Sequence, residues 1–151
     1  MNTKPIGKRR PVPLLPCTCA SLRRAARAVT RFYNGELQRD GIEVTQFTLL
    51  MALNETGAIP QGELGRLLAL DSTTLTRMLD LMKRRGWVQA KEGDDRRLRI
   101  FTLTPAGRAK YIHGLPHWKR AQDRLRTALG EKAASQLSGL LADVTGVALQ
   151  E

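Results

Sequence analysis

The sequence predicts a mainly helical protein that carries one small β-hairpin. Two observations lead there. Apolar residues recur at three- and four-residue intervals in five separate stretches, as amphipathic helices require. After Gly86 the period changes, and WVQAK and RIFTL read as two short strands joined by the charged turn EGDDRRL. The 151 residues contain no internal repeat and suffice for one domain with a sizeable core.

The elements follow in order. Residues 1–16 hold four prolines and four basic residues, so they form an extended basic arm rather than a helix. A helix from Thr18 to about Gln38 carries Leu22, Ala25, Ala26, Val29, Phe32, Tyr33 and Leu37 at helical spacing, and arginines fill much of the rest. DGI at 40–42 ends it. A second helix spans Val44 to Glu55, with Thr45 as its candidate cap and Phe47, Leu50, Met51 and Leu53 apolar. TGAIP at 56–60 reads as a loop. A short third helix, Gln61 to Ala69, turns Leu64, Leu67 and Leu68 inward. The fourth lies within 70–86, capped by Asp71 or Ser72 and closed by a left-handed Gly86, with Leu75, Met78, Leu79 and Met82 on one face. After the hairpin, Thr104 and Pro105 are cap and first position of a helix to Leu129, with a kink expected at Pro116. Gly130 separates it from a last helix striped by Leu137, Leu140, Leu141, Val144 and Val147.

Charge narrows the function. Lys and Arg total 25 against 14 acidic residues, a net +11, which points to a polyanionic partner. Nucleic acid leads, ahead of an anionic membrane surface. No apolar run approaches membrane-spanning length, no signal peptide is evident, and two cysteines make no secreted disulfide framework; a cytoplasmic setting fits. No Ser/His/Asp set, phosphate loop or HExxH motif is present, so an enzyme is not expected. No cofactor is called for.

Helix, short helix, helix, hairpin is the order of a winged helix-turn-helix, whose last helix enters the major groove. Opposite the leucines of the fourth helix stand Ser72, Thr73, Thr74, Thr76, Arg77, Lys83 and Arg84. Short hydroxyls allow close approach to base edges, and arginine can bridge both acceptors of guanine. An ordinary amphipathic helix with a solvated face would look the same. The hairpin adds weight, because Asp95, Arg96, Arg97 and Arg99 crowd its turn and arginine suits a narrow minor groove.

TTLTRMLDLMKRRGWV followed by DRRLRIFTLTPAG resembles the MarR family of bacterial transcription regulators. The family's wing signature, Asp-x-Arg, a strand, Leu-Thr, two residues and Gly, is matched by Asp95, Arg97, Leu103, Thr104 and Gly107. The resemblance implies a homodimer on a palindromic operator in double-stranded DNA, most simply a repressor. It implies a winged helix-turn-helix lobe at 43–103 joined in one continuous domain to a helical dimerisation layer at 17–40 and 104–151. Ser72, Thr73, Thr74, Thr76 and Arg77 would face the major groove. Arg97, oriented by Asp95 and flanked by Arg96, would enter the minor groove. Thr45, Gln61, Lys83 and Arg84 would meet phosphates, the first two through helix N-termini. The Leu137–Val147 stripe and the Phe32–Leu37 face agree with a dimer, since both need partners.

Such regulators release DNA on an oxidation or on binding a small aromatic ligand. Cys17 and Cys19 stand at the start of the first helix, where the helix N-terminus and Arg23 and Arg24 favour a thiolate. Against a switch, a Cys-x-Cys disulfide is strained, and both residues read equally well as small packed hydrophobes. Tyr33, Met51, His117 and Trp118 are candidates to line a ligand cleft. A zinc site from the cysteines with His113 and His117 is disfavoured by Pro116, so no metal is expected. The competing function is a non-specific architectural nucleic-acid binder, which charge alone would allow.

Overall fold

The structure is a computed structural model that describes residues 12–92 and 98–150. Its order is α1 (Thr18–Leu37), a 3-10 turn (Gln38–Asp40), α2 (Val44–Thr56), β1 (Ile59–Pro60), α3 (Gln61–Leu68), α4 (Ser72–Arg84), β2 (Val88–Glu92), β3 (Arg99–Leu103), α5 (Pro105–Leu129) and α6 (Glu131–Ala148). Helices α2, α3 and α4 gather around Phe47, Leu50, Leu64, Leu75, Leu79 and Met82, all essentially without solvent contact. Phe101 and Leu103 of β3 close this core from the sheet side.

The hairpin is antiparallel, with Val88 opposite Leu103 and Glu92 opposite Arg99. A third strand was not expected. Ile59 and Pro60 pair with Phe101 and Ile100, so the end of TGAIP is the edge strand of a sheet ordered β1-β3-β2. Pro60 lacks an N–H and suits an edge, where no further partner waits for it.

Local capping corrects two expectations. The cap of α2 is Glu43, not Thr45: Glu43 and Gln46 form a reciprocal capping box. Leu67 of α3 is 56% exposed, and the inward position next to Leu64 is Gly65 instead. A Cβ on Gly65 would lie 3.4 Å from Leu70 O and from Leu75 Cδ2, so the helix-turn-helix closes against a bare backbone. The other caps match the sequence. Asp71 accepts the Thr74 amide at 2.9 Å, Gly86 is left-handed at φ 71°, and Thr104 accepts the Gly107 amide at 3.0 Å.

Helix α5 runs from the sheet to the far side of the molecule as one helix, with Pro116 inside it. Its root is tight. Thr104 donates to Gly86 O at 2.6 Å, and a Cβ on Gly107 would fall 1.9 Å from Trp87 O. Farther along, α5 meets α1 across a polar seam. Tyr33 donates to Gln122, Glu36 pairs with Arg124 and Arg120, and His117 sits 3.1 Å from Asp40. Helix α6 packs on α5 and buries only Ala134 among the described residues. No helix of the described residues is long and apolar enough to cross a membrane.

Candidate nucleic-acid interface

The turn between α3 and α4 sets the presentation of α4. Ala69 takes a left-handed conformation at φ 49°, and Leu70 N donates back to Gly65 O at 2.9 Å. Asp71 then caps α4, accepting both the Thr74 amide and the Thr74 hydroxyl, the latter at 2.6 Å. That hydroxyl, followed by the amide, holds the Asp71 carboxyl below its ordinary range. With Leu75, Leu79 and Met82 buried, Ser72, Thr73 and Arg77 are left exposed on the opposite side.

Several of the remaining sequence candidates on this surface are already engaged. Thr74 belongs to the cap. Thr76 is half-buried and accepts a bond of 2.9 Å from Gln61 Nε2, so this pair braces α3 against α4. Lys83 pairs with Asp80 at 2.9 Å, while Arg84 is exposed. Thr45 is exposed on α2, but two of the helix's first three amides are taken: Val44 N donates to Asn34 Oδ1 at 2.7 Å and the Gln46 amide to the Glu43 carboxylate. The wing residues Asp95, Arg96 and Arg97 lie outside the described residues; the strands that carry them are in register up to Glu92 and Arg99.

Sequence reasoning missed Arg85. Its guanidinium donates to Gln46 Oε1 at 3.1 Å and Gly41 O at 3.4 Å, and lies 4.9 Å from the centre of the Trp87 ring. Lys110 approaches the same ring at 5.2 Å and donates to Asp40 O. The end of α4 is thereby tied to the link between α1 and α2. An arginine directly before the closing glycine gave no periodic signal of this role.

A cleft of about 400 Å³ opens between α1, α2 and α5, lined by Ala26, Val29, Thr30, Tyr33, Val44, Thr45, Thr48 and Trp118. Of the four residues expected there, Tyr33 and Trp118 line it. His117 is turned to Asp40 and Arg120 instead, and Met51 packs against the core. Burial raises the Tyr33 phenol above its ordinary pKa. Cys17 and Cys19 are both free and exposed, so neither is packed within this chain. Among the described residues, no group of three or more His, Cys, Asp or Glu could hold a metal ion.

A three-helix core, an exposed polar face on its last helix and an adjoining hairpin define a winged helix-turn-helix protein, a class built to bind duplex DNA. Comparison with known proteins agrees. The MarR family profile matches residues 40–98. The multiple antibiotic resistance protein MarR of Salmonella typhimurium is 36% identical over 108 residues, covering 70% of this chain and 75% of that protein. Transcriptional repressor MprA of Escherichia coli is 33% identical over 107 residues, covering 69% and 61%. The crystal structure of the Mycobacterium tuberculosis transcriptional regulator MOSR in complex with DNA superposes with a TM-score of 0.81 at 30% identity, covering 87% of this chain and 96% of that one. The chain belongs to the MarR family and is a DNA-binding transcriptional regulator, not an enzyme.

Proposed function

We propose that the protein is a cytoplasmic homodimeric repressor that reads a palindromic operator and lets go of it when an effector arrives. The observation that carries the dimer is α6. Leu137, Leu140, Leu141, Val144 and Val147 are 40–71% exposed on one helix, a contiguous apolar stripe that a monomer would leave in water. Helix α6 with 17–40 and the rest of 104–151 forms the dimerisation layer, and 43–103 the DNA-reading lobe. Ser72, Thr73 and Arg77 meet base edges, with Thr74 and Thr76 shaping the same face. Arg97 enters the minor groove beside Asp95 and Arg96, and Thr45, Gln61, Lys83 and Arg84 lie toward phosphates. MprA, a relative, is named a repressor, which favours that mode here.

Two effector routes have support. The exposed Cys17 and Cys19 are open to oxidants. The cleft under Tyr33 and Trp118 has the size and apolar lining for a small aromatic ligand. Non-specific architectural binding is the alternative, and selectivity separates the two. Fluorescence anisotropy on the duplex upstream of the protein's own gene, beside a scrambled duplex, tests the reading. It is run with protein reduced, peroxide-treated and re-reduced, then with salicylate as a probe. Selective binding that Arg97→Ala weakens is the expected result. Equal binding to both duplexes at physiological salt would make the protein an architectural binder.

A further inference from the structure

The positive charge of this chain is not concentrated on its DNA-reading lobe. Eight of the 25 basic residues fall in the first 35 positions, where no acidic residue occurs. The other 17 face all 14 acidic residues, leaving a surplus of only three. Four of the eight lie on α1. Arg24 is occupied, donating to Pro13 O at 2.7 Å. Arg23, Arg27 and Arg31 are exposed, spaced i, i+4, i+8 on one side of the helix, and none has a carboxylate partner among the described residues. Side chains four apart in a helix stack on one face, so the three guanidinium groups form a row about 12 Å long. A duplex presents about seven phosphate charges over that length.

The row stands far from α4. Helix α1 packs on α5 and α2. It runs antiparallel to α5, with Asp40 beside His117 and Phe32 beside Arg124. Arg31, Arg27 and Arg23 continue in the same direction, away from the sheet. Twenty residues of α5 separate Thr104 at the sheet from Arg124, about 30 Å of helix. DNA has a persistence length of about 150 base pairs, so a short duplex lying on α4 and the wing does not fold back to this row.

We propose that Arg23, Arg27 and Arg31 form a second, sequence-independent docking surface for duplex DNA, so that one molecule bridges two DNA segments. Arginine forks suit phosphate, and an interleaved row of carboxylates, as a solvated helix face carries, is missing. The inference relies on the winged lobe for the first segment only.

The test uses the full-length protein and two short duplexes of random sequence, one immobilised and one labelled, at low salt. The wild type is expected to hold the first and capture the second. The R23Q/R27Q/R31Q variant is expected to hold the first but capture the second about ten-fold less. Glutamine matches arginine in helix propensity, so an unchanged melting curve serves as the folding control. With the same oligomeric state verified for both proteins by sedimentation, a dimer that bridges through its two lobes would do so equally in both, so equal capture overturns the proposal. So does a wild type that holds the first duplex without capturing the second. A wild type that holds no duplex at all overturns the winged-lobe reading as well, because the row alone would retain DNA. Labelled-duplex binding to the wild type should also fall more steeply with salt, by about 0.9 in logarithmic slope for each arginine.

Discussion

Replacing Gly107 by alanine tests how the wing is rooted. The new Cβ would sit 1.9 Å from Trp87 O, 2.8 Å from its carbonyl carbon and 3.1 Å from its Cα. Contacts under 3.0 Å do not occur for real Cβ atoms, so the chains must part by about 1 Å. These three nearest atoms are all backbone, not the far end of a flexible side chain that could yield. The separation strains Thr104 N to Trp87 O, at 3.1 Å, and Thr104 Oγ1 to Gly86 O, at 2.6 Å. Overpacking of this kind costs about 1–3 kcal/mol, and each weakened hydrogen bond about 1 kcal/mol. A total near 3 kcal/mol lowers the melting temperature of a chain this size by roughly 6–12 °C. Circular dichroism melts of wild type and G107A read the difference. A variant that melts within 2 °C of wild type would mean that α5 is not held against Trp87 as described. The same contact gives the glycine of the wing signature a physical reason.

Three other outcomes are expected. Arg85→Met should cost about 1–2 kcal/mol in urea denaturation, through the lost bond to buried Gln46 and the lost Trp87 contact, and should be non-additive with Gln46→Leu; additive effects would uncouple the pair. Leu140→Asp with Val144→Asp should convert the proposed dimer to a folded monomer in sedimentation, since both side chains are exposed in the chain; a dimer that persists would place the interface elsewhere. The Asp71 carboxyl is lowered by Thr74, so its contribution is present above the unfolded value and lost as pH falls through the lower folded one. The stability gap between wild type and Thr74→Val should therefore be open at neutral pH and close as pH falls below 3.8, and a gap independent of pH would remove the Thr74 hydroxyl bond from the account.

Periodicity and punctuation made most of the fold legible. Leu75, Leu79 and Met82 mark the buried face of α4, and Asp71, Gly86, Thr104 and Pro105 mark the ends of their helices. What stayed hidden has physical causes. A two-residue strand has no period, so Ile59–Pro60 passed for loop. Leucine spacing pointed inward at Leu67, but the buried position beside Leu64 is Gly65, against Leu70 and Leu75, and a glycine carries no apolar signal. The Glu43–Gln46 box was readable, and the neighbouring threonine obscured it. In the candidate site, sequence found which residues lie opposite the core but not which of them are spent on structure. Thr76 and Gln61 bind each other across fifteen residues, a pairing that no local pattern encodes. His117 left the cleft for Asp40 for the same reason.

The length of α5 has one more consequence. Its 25 residues measure about 37 Å, with one end wedged at Trp87 and the other in the proposed dimer layer. A tilt of about 5° at the root would displace the far end by about 3 Å, close to one base-pair step of 3.4 Å. In a dimer, that amount of play is the difference between half-sites in and out of step. In the proposed dimer the helix would act as a gauge of operator spacing, with the absence of a side chain at Gly107 setting its zero.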